Sequence, residues 1–206
     1  MVTCSFCGTV FQVSVAGEES QDGRLILNAD FATPHAPGWS VHNADKLTFK
    51  PGELWAAFPA SDRIHPVLST PGHYDDLDMA VTVRFLEGSY KHIYAGLELR
   101  FNDGGDYSFH VSAQGTYRVA WHDKREWGGA LVDWTAHPAM SQEMGARHRL
   151  RVVLRGDRMR VFLNGGLATS LRDTRFTAGS ARVVISPTEK GKAVVAYSGV
   201  ELREVV

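Results

Sequence analysis

Cysteine is scarce: the 206 residues hold two, Cys4 and Cys7. A fold stapled by several disulfides is therefore excluded. No apolar run approaches the roughly 20 residues that a bilayer-spanning helix needs. The opening Met-Val-Thr-Cys-Ser-Phe-Cys-Gly lacks a basic stretch followed by an apolar one, so it does not read as a secretory signal. Taken as it stands, the sequence points to the cytoplasm. Neither sign of charge is in excess. Lys and Arg number 22 against 23 Asp and Glu, a net charge of -1, which leaves no electrostatic footprint for nucleic acid or anionic lipid. Helical periodicity is missing too. No stretch of ten or more residues makes an amphipathic helix, and only Ser141 to Ala146 offers a single helical turn. There is no repeat of fixed period.

What the chain has is alternation. Hydrophobic residues make up 44% and charged residues 22%, ordinary globular values, over a length that supports one sizeable core. Residues 1–23 read as an appendage whose tail, Ala16–Gly23, is a polar linker. From residue 24 to 206 short alternating runs are broken by Gly, Pro, Asn and Asp. Strands are expected over 25–28, 46–50, 53–58, 76–86, 92–102, 106–112, 116–123, 129–134, 148–155, 158–164, 166–171, 180–186 and 192–204. This density of strands means an all-β antiparallel sandwich.

Two hairpins set the register. Ala113-Gln114-Gly115 suits a three-residue loop with Gly in the left-handed position. It pairs Val111 with Tyr117, Phe109 with Val119 and Tyr107 with Trp121, one apolar face throughout. The Gly156-Asp157 turn likewise sets Leu154 against Met159, Val152 against Val161 and Leu150 against Leu163. On the strand before the first hairpin, Ile93, Ala95, Leu97, Leu99 and Phe101 face inward. One outer face then gathers Tyr94, Glu98, Arg100, His110, Arg118 and His122, the best candidate ligand surface. The same pattern also suits a solvated sheet face with cross-strand charge pairs.

Other motifs carry less. Cys4-Ser-Phe-Cys7-Gly8 resembles one knuckle of a zinc ribbon, with two thiolates to grip one edge of a tetrahedral zinc. A structural zinc needs four ligands, so histidines or a second chain would complete it. Asp103-Gly-Gly-Asp106 could lend oxygens to calcium, although such residues also simply form turns. Asp76 and Asp78 share a face, and Glu98 is the one carboxylate placed mid-sheet, so a two-carboxylate mechanism lacks its partner. The nine histidines match no metal-binding helix motif. Of the five tryptophans, Trp121 belongs to the core set, and Trp127, in Lys124-Arg-Glu-Trp-Gly-Gly129, is the best candidate for stacking on a sugar ring.

The runs Ala95-Gly-Leu-Glu-Leu-Arg-Phe, Asp106-Tyr-Ser-Phe-His-Val, Gly115-Thr-Tyr-Arg-Val, Leu131-Val-Asp-Trp-Thr135, His148-Arg-Leu-Arg-Val-Val and Val161-Phe-Leu-Asn-Gly165 resemble those of the concanavalin A-like jelly rolls. More narrowly they resemble the laminin-G-like and 3-keto-disaccharide hydrolase-type domains of bacterial proteins. Asp30-Phe-Ala with Gly38-Trp39, and the closing Val194-Val-Ala-Tyr-Ser-Gly-Val-Glu-Leu, fit the same likeness, which covers about residues 28–206. It implies a jelly roll, a fold that hosts lectins, glycanases, adhesion modules and spacers. Trp134 matches the family's Asp-Trp pair, which is structural there. The Glu-x-Asp-x-x-Glu string of family-16-type glucanases is missing from this chain. The expectation is a non-catalytic module binding a glycan, or a protein ligand, through the polar sheet face and the rim near Trp127. A glycoside-active hydrolase with Glu98 as its catalytic carboxylate is the alternative. A third reading is an assembly module, homo-oligomeric through zinc-linked N-termini.

Overall fold

The computed structural model describes residues 2–3, 10–11, 23–61, 63–88, 93–124, 128–187 and 192–205. Near the N-terminus β1 (Val2–Thr3) pairs with β2 (Val10–Phe11). The sandwich follows: β3 (Leu25–Ala29), β4 (Ser40–Val41), β5 (Leu47–Lys50), β6 (Glu53–Phe58), β7 (His65–Ser69), β8 (Leu77–Glu87), β9 (Ile93–Phe101), β10 (Gly105–Ser112) and β11 (Thr116–Asp123). It continues with β12 (Gly129–Ala136), β13 (Arg147–Arg155), β14 (Arg158–Leu163), β15 (Gly166–Arg172), β16 (Ser180–Pro187) and β17 (Ala193–Arg203). Among the described residues the one helical element is a 3-10 turn over Ala44–Lys46. Ser141 to Ala146, expected as a helical turn, is instead a tight turn with the Ala146 N–H on the Glu143 carbonyl.

Two antiparallel sheets form the sandwich. One has seven strands in the order β12-β11-β10-β9-β16-β7-β4. The other has eight, led by β15-β14-β13-β8-β17-β6-β5, with β3 also paired to β17. Alternate side chains of both sheets meet in one core that includes Leu54, Met79, Val81, Leu97, Phe109, Val152, Ile185 and Tyr197. Both hairpins have the expected register: Tyr107 lies opposite Trp121 and Phe109 opposite Val119, while Val152 lies opposite Val161 and Leu150 opposite Leu163. Trp121 is only half-buried, with the Arg175 guanidinium 4.5 Å from its ring centroid.

Two features depart from the sequence pattern. Strands β1, β2, β4 and β7 were not expected. The run His-Pro-Val-Leu-Ser of β7 carries a proline and no clean alternation, and it pairs with β16 across a register shift at Val183/Val184. The second departure lies at the end of β9. Arg100 is left-handed (φ 52°), and the pairing with β16 shifts between Ser180 and Arg182. A slip of one residue exchanges faces. Arg100 therefore leaves the polar face and is buried, 2% exposed. Its guanidinium donates to the carbonyls of Phe176 (2.9 Å), Gly156 (2.8 Å) and Asp75 (2.9 Å from Nε). It thus ties together three loops at one end of the sandwich. Phe101, expected inside, is half-exposed and takes Arg182 and Lys124 against its ring.

Candidate functional site

The polar face of the seven-stranded sheet is the candidate site. Its central row runs across six strands: Ser40, Ser69, Arg182, Glu98, Ser108 and Ala120 are successive register partners from β4 through β7, β16, β9 and β10 to β11. One step along the strands, Val184, Gly96, His110 and Arg118 form the next row. Asp106 and His122 lie opposite one another on the other side of the central row. Gly96 is fixed by space, since a Cβ there would sit 2.0 Å from the Phe109 carbonyl oxygen.

A sheet face open to water would expose these groups, yet Glu98, Asp106, Ser108, His110 and Ser112 are all buried. Part of the cover is aromatic. Tyr94 on β9 and Trp134 on β12 have ring centroids 4.5 Å apart. Two strands separate their backbones, three intervals of about 4.8 Å. Both side chains therefore lean toward each other over β10 and β11. The irregular pairing of β11 with β12 between Tyr117 and Val119 lets Asp133 and Trp134 depart from simple alternation.

Burial sets the electrostatics. Glu98 is pushed up to about 7, mainly by desolvation and then by the Asp106 carboxylate; Arg182 and His122 pull the other way. Arg182 Nη1 is 3.6 Å from Glu98. His122 Nδ1 is 3.2 Å from Asp106, and that hydrogen bond raises the imidazole above its ordinary value. His110 is pushed down to about 3 by burial, reinforced by His122 and Arg118, so it stays neutral at physiological pH. His42, which bonds Ser69 Oγ at 2.8 Å, is lowered by burial and by Arg182. Among the described residues, three buried nitrogens of the face lack hydrogen-bond partners: His110 Nε2, Arg118 Nε and Arg182 Nε. The nearest carboxylate oxygen to Arg118 Nε, on Asp133, is 4.0 Å away. Leaving such groups unpaired costs about 1–3 kcal/mol each.

Of the residues singled out from sequence, Tyr94, Glu98, His110, Arg118 and His122 come together on this face. Arg100 does not, because the β9 bulge sends it into the loop-tying role. Trp127, Cys4 and Cys7 lie outside the described residues. Sequence reasoning missed Asp106 as a partner for Glu98, although it stands on the same face by period two. It also missed Arg182, Phe101 and Trp134. Arg182 depends on β16 lying beside β9, a long-range pairing with no local signal.

The other carboxylates are engaged elsewhere. Asp78 makes a buried two-pronged pair with Arg151, Nε–Oδ1 2.8 Å and Nη2–Oδ2 2.7 Å. Asp76 accepts from the Gly156 N–H at 2.7 Å. Glu53 pairs with Arg84 and Arg147, and Glu87 with Lys192. Asp103 meets Lys124 while Asp106 meets His122, so the two ends of the Asp103–Asp106 turn serve different partners. Among the described residues no group of three or more His, Cys, Asp or Glu could hold a metal ion.

No protein-family model matches the chain, and no curated protein matches it. Solved structures do. The carbohydrate-binding module CBM66 from Bacillus subtilis superposes with a TM-score of 0.62 at 15% identity, covering 81% of this chain and 96% of that one. The endo-β-1,3-glucanase from Pyrococcus furiosus gives 0.68 at 11% identity, covering 89% and 95%. The Bacillus licheniformis β-glucanase gives 0.64 at 10% identity, covering 87% and 98%. At such identities the likeness is one of fold: this chain is a β-sandwich of the jelly-roll, concanavalin A-like class.

Proposed function

We propose that the polar face of the seven-stranded sheet binds carbohydrate without cleaving it. One observation carries the reading. Among the described residues, His110 Nε2, Arg118 Nε and Arg182 Nε are buried on one face without hydrogen-bond partners, and the Tyr94–Trp134 ring pair stands on the His110 and Arg118 side of it. Sugars offer the complement: hydroxyls that donate and accept, and C–H faces that stack on aromatic rings. The neutral imidazole of His110 adds an uncharged polar contact suited to a hydroxyl. The carbohydrate-binding module and the glucanases among the similar folds are consistent with this ligand class. A glycan array joined to product analysis tests it. Retention of a glycan with no released sugar supports the reading, and no retention of any glycan overturns it.

One observation favours a catalytic reading. Glu98 is held near 7 beside a second carboxylate, Asp106, which is paired to His122. A raised acid beside a second carboxylate is the pairing that glycoside hydrolysis uses. In that case Glu98 donates a proton to the leaving oxygen. The array then finds released sugar, and Glu98→Gln abolishes the release while binding persists.

A further inference from the structure

The opposite side of the molecule carries charge that the net value conceals. On β13 the inward His148, Leu150, Val152 and Leu154 alternate with Arg147, Arg149, the buried Arg151, Val153 and Arg155. On β14 the outward positions include Arg158 and Arg160, and on β15 Arg172 lies directly opposite Arg158. Arg155 is also directly opposite Arg158. Like charges facing across strands are destabilising, so this row of three is an arrangement that stability alone does not select.

Arg84 on β8 and Arg203 on β17 extend the same face, opposite Arg147 and Asp78 respectively. Its carboxylates are Glu53, Asp78, Asp157 and Glu201, each already paired with an arginine. Among the described residues, these nine guanidiniums against four carboxylates leave an excess of five positive charges. The excess holds whichever carboxylate each guanidinium contacts. At the end of this face Asp76 is taken up by the Gly156 N–H and by Arg100.

We propose that the outer face of the eight-stranded sheet, centred on Arg155, Arg158 and Arg172, docks an acidic polysaccharide bearing carboxylate or sulfate groups. The cations named are all arginine, whose planar fork suits two-pronged binding of such oxyanions. Neighbouring strands place the row at intervals of about 4.8 Å, close to the advance of a sugar chain per ring. A nucleic acid is a poorer fit. The flat face offers no element to enter a groove. Of its aromatic rings, Phe162 already has Arg151 and Arg160 at 5.2 and 5.3 Å, and Trp55 has Lys50 at 5.6 Å and its N–H on Glu53, so neither is free for base stacking.

The test uses the whole chain with dextran sulfate and polygalacturonate as probes. Neutral dextran, double-stranded DNA and phosphatidylserine vesicles serve as comparators. At low salt the protein binds at least one acidic glycan and not neutral dextran, and the binding weakens steeply as sodium chloride rises. The two acidic probes separate sulfate from carboxylate recognition. The double substitution Arg158→Glu, Arg160→Glu lowers the affinity at least tenfold, and Arg158→Ala, a gentler change, lowers it several-fold. Neither affects binding of a neutral glycan at the Trp134 face, which separates this site from the one proposed above. The inference is overturned if no acidic glycan binds, if both variants bind as the parent does, or if DNA or vesicles bind as tightly as the glycans.

Discussion

Glu98→Gln is expected to stabilise the domain at pH 8 and to change it little at pH 5. Glu98 is 6% exposed and pushed up from 4.5 to about 7. A carboxyl with a raised folded value holds its proton more tightly in the native state than in the unfolded one. Stability is therefore full below the ordinary carboxyl value and is lost as pH climbs toward 7. The shift corresponds to about 3 kcal/mol of stability forfeited at pH 8, and under about 1 kcal/mol at pH 5. Gln mimics the protonated side chain in shape and cannot ionise, so it recovers that loss. In a domain of this size about 3 kcal/mol raises the melting temperature by about 6–12 °C. Thermal unfolding of both proteins at the two pH values is the assay. An equal change at both pH values, or destabilisation at pH 8, refutes the buried-acid description of this face.

His110 works in the opposite direction. Its folded value of about 3 lies below the ordinary 6.5, so stability falls as pH drops from 6.5 toward 3. In the Glu98→Gln background the opposing carboxyl contribution is gone, and the acid limb is shared by His110 with His42, His65, His137 and His148, all lowered by burial. His110→Asn makes that limb shallower, sparing about 2 kcal/mol at pH 5 relative to the Glu98→Gln parent, as denaturant titration will show. Arg100→Met removes every donor from the carbonyls of Asp75, Gly156 and Phe176 and costs about 3–5 kcal/mol, read from the urea midpoint. Trp134→Ala weakens glycan binding about tenfold with little loss of stability, measured by calorimetric titration. Unchanged affinity there removes the ring pair from the binding surface.

The fold was legible where neighbouring residues sufficed to determine it. Period two and turn chemistry gave both hairpin registers, because adjacent strands need only local information to find each other. The polar face was legible for the same reason, down to Glu98, His110, Arg118 and His122. Three things were not. The bulge that turns Arg100 inward and Phe101 outward follows from three distant carbonyls that the guanidinium satisfies, and no local pattern encodes them. Strand β7 hid behind Pro66. Burial of the face depends in part on Tyr94 meeting Trp134 across two intervening strands, and period two assigns a side to each ring without saying how far it leans. A face taken as water-filled is for that reason a buried polar cluster with strongly shifted acids and bases. The net charge misled in a similar way, since a sum of -1 conceals an arginine-rich sheet on one side.

Nitrogen-detected NMR of the histidine and arginine side chains during titration with a neutral glucan oligosaccharide addresses the central claim directly. Saturable shifts of His110 Nε2, Arg118 Nε and Arg182 Nε, together with the Trp134 indole N–H, are the predicted result. Shifts confined to other parts of the molecule, with those four nitrogens unmoved at saturation, contradict it.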